Sequence, residues 1–208
     1  MKAEYFVDVC SHWCLVAVPA VQALRDLGVE VEVVYAPLND GKPLGFTNEM
    51  ETWFYKRGAG AYGQTLHPDW CEGPDTSTWH ANVSAFVAGE ITGDQLGSAH
   101  AMMAAAMERG VLVGRAADAH GVAAAYAGAP LEEIERRVSA AGIHDKLIAG
   151  NKRLDAVGAD ERPTFVLQND NGDRAIFKGV WQRDAIVAAA QALLHDENAY
   201  RAAGPSPY

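Results

Sequence analysis

Glu4-Tyr5-Phe6-Val7-Asp8-Val9-Cys10-Ser11-His12-Trp13-Cys14-Leu15 is the stretch on which the fold turns. Its first half, Glu4 to Val9, is short, β-branched and aromatic, the composition of a buried strand. Directly after it, Leu15 to Leu27 places apolar residues at Leu15, Val18, Val21 and Leu24. That spacing marks one face of a helix, and Gly28 is placed to end it. Val29 to Tyr35 alternates and then becomes wholly apolar, as a second strand entering a sheet would. Strand, helix and strand form a compact βαβ unit, so the two strands should be parallel and the crossover right-handed.

Beyond this unit the pattern changes. From about Thr47 to Asp155 it is helical, broken at Gly58, Gly60, Gly63, His67-Pro68, Gly73-Pro74, Gly93, Gly110, Gly128-Ala129-Pro130 and Gly142. Ala-rich stretches at 99–107 and 116–126 suit closely packed helices. Strand character returns at Thr164–Gln168, followed by the hairpin chemistry of Asn169–Asp173 and a return strand at Arg174–Lys178. Asp184 is placed to cap a helix from Ala185 to about His195, and the Gly204, Pro205 and Pro207 of the tail predict a loose end. The order βαβ, helical block, ββα predicts an α/β protein whose sheet is interrupted by a large all-helical insertion. The expected boundaries are a sheet domain at 1–37 plus 158–197, the helical insertion at 38–157, and a flexible tail at 198–208.

Composition narrows the function. Of 208 residues, 49% are apolar and 21% charged, ordinary for a globular chain and unlike a disordered one. Acidic residues number 27 against 17 basic, a formal charge of −10, which argues against binding nucleic acid through bulk charge. No uncharged apolar run approaches ~18 residues, so no membrane span is expected. Met1-Lys2-Ala3-Glu4 leads into a strand without the apolar core of a secretory signal, so the expected location is the cytoplasm. There, Cys10, Cys14 and Cys71 should be thiols unless chemistry uses them.

Cys10 to Cys14 lies where a strand ends and a helix begins, the place where α/β folds collect ligands. Unpaired N–H groups and the helix dipole make a thiol there easier to ionise, lowering a free cysteine from ~8.5 to about 3.5–7.5. The motifs around it resemble the DsbA-like thioredoxin-fold family, which includes the kappa-class glutathione transferases and the 2-hydroxychromene-2-carboxylate isomerases. Ser11-His12-Trp13-Cys14 is similar to the family's Cys-Pro-Trp-Cys or Ser-Pro-Phe-Ser. Gly158-Ala159-Asp160-Glu161-Arg162-Pro163-Thr164-Phe165-Val166 is similar to its Gly-Val-x-Gly-Val-Pro-Thr-Phe-Val. The element order extends the likeness over nearly the whole chain, and Pro19 sits where such helices commonly carry a proline. The resemblance implies a thioredoxin-like fold, a cis Pro163 facing the motif, and a substrate contact zone at Trp13, Arg162, Pro163 and Thr164.

The departures from the family pattern carry as much information. Ser11 occupies the position of the attacking cysteine, and a hydroxyl does not ionise near neutrality. It can donate a hydrogen bond to another molecule's thiolate, as the resemblance implies for bound glutathione. Cys10 and Cys14 form a competing C-x₃-C pair, which could close a disulfide only with Cα atoms within about 7 Å. His12, as an imidazolium, would lower a neighbouring thiol's pKa, or it simply fills the turn. Trp13 is a packing residue or a flat wall for a substrate. Arg162 could hold a carboxylate in a fork or pair with Glu161 or Asp160. Cys71 has no recognisable partner. No second ligand pair accompanies Cys10, His12 and Cys14, so no metal is expected.

Three readings follow. The first is a DsbA-like oxidoreductase acting on small-molecule thiols or disulfides through Cys14, Ser11, Cys10 and His12. A second is an isomerase or transferase taking glutathione as co-substrate, with no tightly bound cofactor. The third is a non-catalytic module that binds a partner peptide by strand addition beside Pro163. The Ala-rich helices would serve a homodimer.

Overall fold

The computed structural model describes residues 1–204. Strand β1 is Lys2–Val7, helix α1 His12–Asp26 and strand β2 Glu30–Tyr35. β1 and β2 pair in parallel, with Lys2 opposite Glu30 and Val7 opposite Tyr35, as a βαβ unit requires. A 3₁₀ turn at Leu38–Gly41 leads into α2 (Asn48–Tyr62), α3 (Trp79–Thr92), α4 (Gln95–Met107), α5 (Ala116–Ala127), α6 (Leu131–Val138) and α7 (Ile143–Ala156). Then come β3 (Thr164–Gln168), β4 (Arg174–Lys178) and α8 (Arg183–Ala203). The strands lie in the order β2-β1-β3-β4, with β3 antiparallel to both neighbours.

Alternation along β1 explains the layers. Ala3, Tyr5 and Val7 enter one core with Leu15 and Leu24 of α1 and Ile186 and Ala190 of α8. Phe6 enters the other, against Val34, Val166 and Leu154 of α7. Fully burying an aliphatic or aromatic side chain of this size contributes ~1.5–3 kcal/mol, so a one-residue register slip, which exchanges the faces, is strongly disfavoured. α7 lies very close to β2: a Cβ on Gly150 would fall 1.9 Å from the Tyr35 carbonyl oxygen. α2 and α4 pack on α1, so the helical block stands over the helix that Ser11 caps.

Several element ends differ from expectation for local reasons. β1 stops at Val7 rather than Val9 because Ser11 N–H donates to the Asp8 carbonyl at 3.0 Å, closing a turn. α1 therefore starts at His12, three residues before Leu15. Gln182 is the N-cap of α8, which leaves Asp184 inside its first turn instead of capping it. The same helix continues past His195 to Ala203, so residues 198–203 are helical and not tail. Its extra turns are held by buried Glu197, which accepts from Arg201 Nη2 at 2.7 Å and from the Asp170 N–H at 3.3 Å. The part of the expected tail at 205–208 lies outside the described residues. No helix among them is long and apolar enough to cross a membrane.

Candidate active site

The turn between β1 and α1 is built around one carboxylate. Asp8 is fully buried. Its Oδ1 accepts from the Cys10 N–H at 2.7 Å, and its Oδ2 from the Leu38 N–H at 2.7 Å, Thr78 Oγ1 at 2.5 Å and Asn82 Nδ2 at 3.0 Å. Asn82 also accepts from the Val9 N–H at 3.1 Å. Burial raises the Asp8 carboxyl above its ordinary value, and these donors offset part of that rise. The strand end, the 38–41 turn and α3 are thus tied to a single side chain. A lone Asp closing an apolar strand was the sequence signal for it; Thr78 and Asn82, some 70 residues away, gave none.

Sulfur in this turn is shielded. Cys10 is 2% exposed and Cys14 0%, and the cysteines are free. The expectation that the helix N-terminus would make these thiols acidic is overturned in direction. Burial pushes Cys14 up to about 12, with the Asp8 main chain and then the nearby Ser11 hydroxyl offsetting only part, and burial raises Cys10 well above its ordinary value. Removing water costs the thiolate more than the dipole returns. Cys71 is buried too, its Sγ 3.8–3.9 Å from the Gly73 and Phe46 carbonyls, and burial also raises it.

His12 is buried and neutral rather than an imidazolium: burial, then the nearby Arg57 charge, pushes it down to about 4. It packs against Tyr55 and Trp13, and its Nε2 is buried without a partner among the described residues. Gly58 of α2 makes room for it, since a Cβ there would lie 2.3 Å from His12 Cδ2.

Ser11 is the half-exposed polar side chain of the turn. It is the N-cap of α1, and its Oγ donates to the Arg162 carbonyl at 3.4 Å. The main-chain N–H groups of His12 and Trp13, in the first turn, have no acceptor among the described residues. The Arg162–Pro163 peptide bond is cis, and the loop carrying it lies against Ser11.

The Arg162 side chain is not an open fork. Its Nε donates to the Ala36 carbonyl at 2.7 Å, Nη1 to the Asp160 carbonyl at 2.6 Å, and Nη2 to Asn151 Oδ1 at 2.8 Å and the Pro37 carbonyl at 3.3 Å. It clamps the proline loop to the end of β2 and to α7, instead of holding a carboxylate or pairing with Glu161. Thr164 is buried, and its Oγ1 donates to the Glu161 carbonyl at 2.9 Å. β3 is hydrogen-bonded on both sides, so the strand beginning at Thr164 offers no free edge for peptide addition.

A cavity of about 250 Å³ opens at this turn, lined by Cys10, Ser11, His12, Trp13, Leu38, Phe46, Glu51, Phe54, Arg57 and Trp70. Aromatic and aliphatic groups make most of its wall. Trp13 stacks on Trp181 at 5.6 Å, and the Arg57 guanidinium lies 5.7 Å from the Trp13 ring and 5.5 Å from the Trp53 ring. The two charged residues of the wall, Glu51 and Arg57, come from α2. Nothing in the sequence pointed to either, because only the folded insertion brings α2 over α1. A larger cleft of about 580 Å³ borders α2 at Thr52, Lys56 and Ala59, away from the Ser11 turn. Among the described residues no group of three His, Cys, Asp or Glu side chains could hold a metal ion.

No protein-family profile and no curated protein sequence matches this chain. Solved structures do. The cytosolic disulfide reductase DsbM from Pseudomonas aeruginosa superimposes with a TM-score of 0.73 at 17% identity, covering 94% of this chain and 99% of its own. The same protein with glutathione gives 0.74 at 16% identity, covering 94% and 100%. A 2-hydroxychromene-2-carboxylate isomerase gives 0.69 at 15% identity, covering 96% and 98%. The chain therefore has the thioredoxin-like fold of the DsbA-like oxidoreductases and of that isomerase, helical insertion included.

Proposed function

We propose that this protein is an isomerase or transferase that uses glutathione, with Ser11 holding the tripeptide's thiolate, rather than an oxidoreductase working through its own cysteines. One observation carries the reading: the accessible polar group at the amino end of α1 is the Ser11 hydroxyl, while Cys10 and Cys14 are 2% and 0% exposed. A buried thiol with a raised pKa is a poor nucleophile and offers nothing for a disulfide to meet. An incoming thiol at Ser11 finds a hydroxyl that can turn to it from its long 3.4 Å bond to the Arg162 carbonyl, the N–H groups of His12 and Trp13 that lack an acceptor among the described residues, and the positive end of the helix. Its sulfur then faces an aromatic cavity suited to an apolar electrophile.

The chemistry balances simply. In a transfer, the S–C bond forms as the leaving group departs with its electron pair, and the thiol proton passes to a base. In an isomerisation, the S–C bond forms and later breaks, and glutathione returns unchanged. The neighbours that carry glutathione or isomerise a small molecule support the choice of co-substrate.

Differential scanning fluorimetry with glutathione tests this. A ligand that binds only the folded state stabilises it by ~2.7 kcal/mol at a hundred times its Kd. A rise in melting temperature is expected for the wild type and for Cys14→Ala, with most of it lost in Ser11→Ala. Reduction of insulin disulfides that depends on Cys14, with no response to glutathione, would overturn the reading.

A further inference from the structure

We infer that Glu51 is the proton carrier of this site: its carboxylate takes the proton of the thiol that arrives at Ser11 and hands it on to the reacting substrate. The inference rests on the glutathione reading above and deepens it. Glu51 lies in the first turn of α2, is 4% exposed, and lines the same cavity as Ser11 and His12. Among the described residues its carboxylate has no hydrogen bond and no ion pair. A carboxyl on the wall of an apolar cavity, with no protein donor to stabilise its charge, is costly to ionise, and such groups mark functional sites.

The other ionisable groups around it are committed. Asp8 accepts four hydrogen bonds. The Tyr55 hydroxyl donates to the Cys10 carbonyl and accepts from Trp70 Nε1. Cys10 and Cys71 are buried thiols raised by burial, with the Glu51 charge adding to both. His12 is held neutral, and the Arg57 guanidinium lies over the Trp13 and Trp53 rings. Burial, with the Asp8 charge adding to it, pushes Glu51 up to about 7, which brings it near a thiol's ordinary ~8.5 and favours exchange between the two.

Electrons and protons balance without a further reagent. The thiol S–H breaks and its proton moves to a Glu51 oxygen. The sulfur lone pair then forms the S–C bond, and the electron pair displaced within the substrate, onto an oxygen or a leaving group, recovers that proton. Nothing is oxidised or reduced.

Calorimetry of glutathione binding in buffers of different ionisation heat counts the protons exchanged with solvent, and ultraviolet absorbance reports the bound thiolate. At about pH 8, where Glu51 is ionised, the wild type should form thiolate while releasing well under one proton, because Glu51 keeps it. Glu51→Gln should release roughly one proton for each thiolate formed, and Glu51→Asp should return toward the wild-type count. A merely structural role would not move the count. Equal release from wild type and Glu51→Gln, with binding intact, refutes the role of Glu51 alone. Failure of the wild type to bind glutathione refutes the underlying reading and this inference with it.

Discussion

Glu51→Gln should stabilise the fold above neutrality and leave it nearly unchanged in acid. Burial pushes the Glu51 carboxyl from 4.5 up to about 7, with the Asp8 charge adding to it. As pH rises through that window the unfolded chain gives up its proton first, so the wild type loses stability on the way up. At 1.36 kcal/mol per pH unit the loss comes to about 3 kcal/mol by pH 8. Gln carries no charge and escapes it. His12 works in the opposite sense: held down to about 4 from 6.5, its contribution is complete above 6.5 and is lost as pH falls through 4. The two slopes oppose each other in the wild type, and only that of His12 survives in Glu51→Gln. Urea unfolding followed by circular dichroism at pH 5 to 8 should show the variant's advantage growing with pH, toward about 3 kcal/mol. In a chain of this size that corresponds to about 6–12 °C in Tm. An advantage that stays constant with pH would show that Glu51 is not ionising in an apolar wall, and the reasoning would fail.

Further predictions follow from the same turn. Asp8→Ala leaves the Cys10 and Leu38 N–H groups and the Thr78 hydroxyl without their acceptor; at ~1–3 kcal/mol per orphaned donor, urea unfolding should show a loss of at least about 3 kcal/mol. A loss below about 1 kcal/mol would mean that this carboxylate does not organise the site. Gly58→Ala should destabilise by about 1–2 kcal/mol through its clash with His12, whereas Gly60→Ala, with open space around its Cβ, should stabilise by about 0.5–1 kcal/mol. Equal thermal shifts in the two would contradict the close approach of α2 to α1. Ser11→Cys puts a thiol on the accessible N-cap with Cys14 three residues on, so it should gain insulin-reducing activity that the wild type lacks, with a thiol pKa drawn down toward about 3.5–7.5. No gain would mean that the helix end does not activate sulfur brought to it.

The sheet was legible because period-two alternation in Val29–Tyr35 and the Asn-Gly hairpin are local signals, and the strands at Thr164–Gln168 and Arg174–Lys178 lie where those signals put them. The turn itself was legible as a place, through the strand-to-helix switch and Ser11-His12-Trp13-Cys14. Its electrostatics were not. Ionisation of Cys14 depends on what covers it, and that cover includes α2 and α4 packed on α1, while the Asp8 main chain and Ser11 pull the other way. A dipole argument from spacing alone points one way, and desolvation by distant elements decides the other. Arg162 shows the same gap: sequence gives a guanidinium beside a proline, and only the fold reveals the Ala36, Pro37 and Asn151 acceptors that occupy it. Glu51 and Arg57 carried no signal in the sequence, because the apolar residues that share their cavity, Phe46, Trp13 and Trp70, come from three other segments.

The most direct check is alkylation of the native protein with iodoacetamide across neutral to alkaline pH, with Cys10, Cys14 and Cys71 quantified separately by mass spectrometry. All three should remain unmodified near neutrality and react only on unfolding, leaving Ser11 as the group that meets an incoming thiol. Rapid labelling of Cys14 or Cys10 at neutral pH, with the profile of an acidified thiol, would contradict the account.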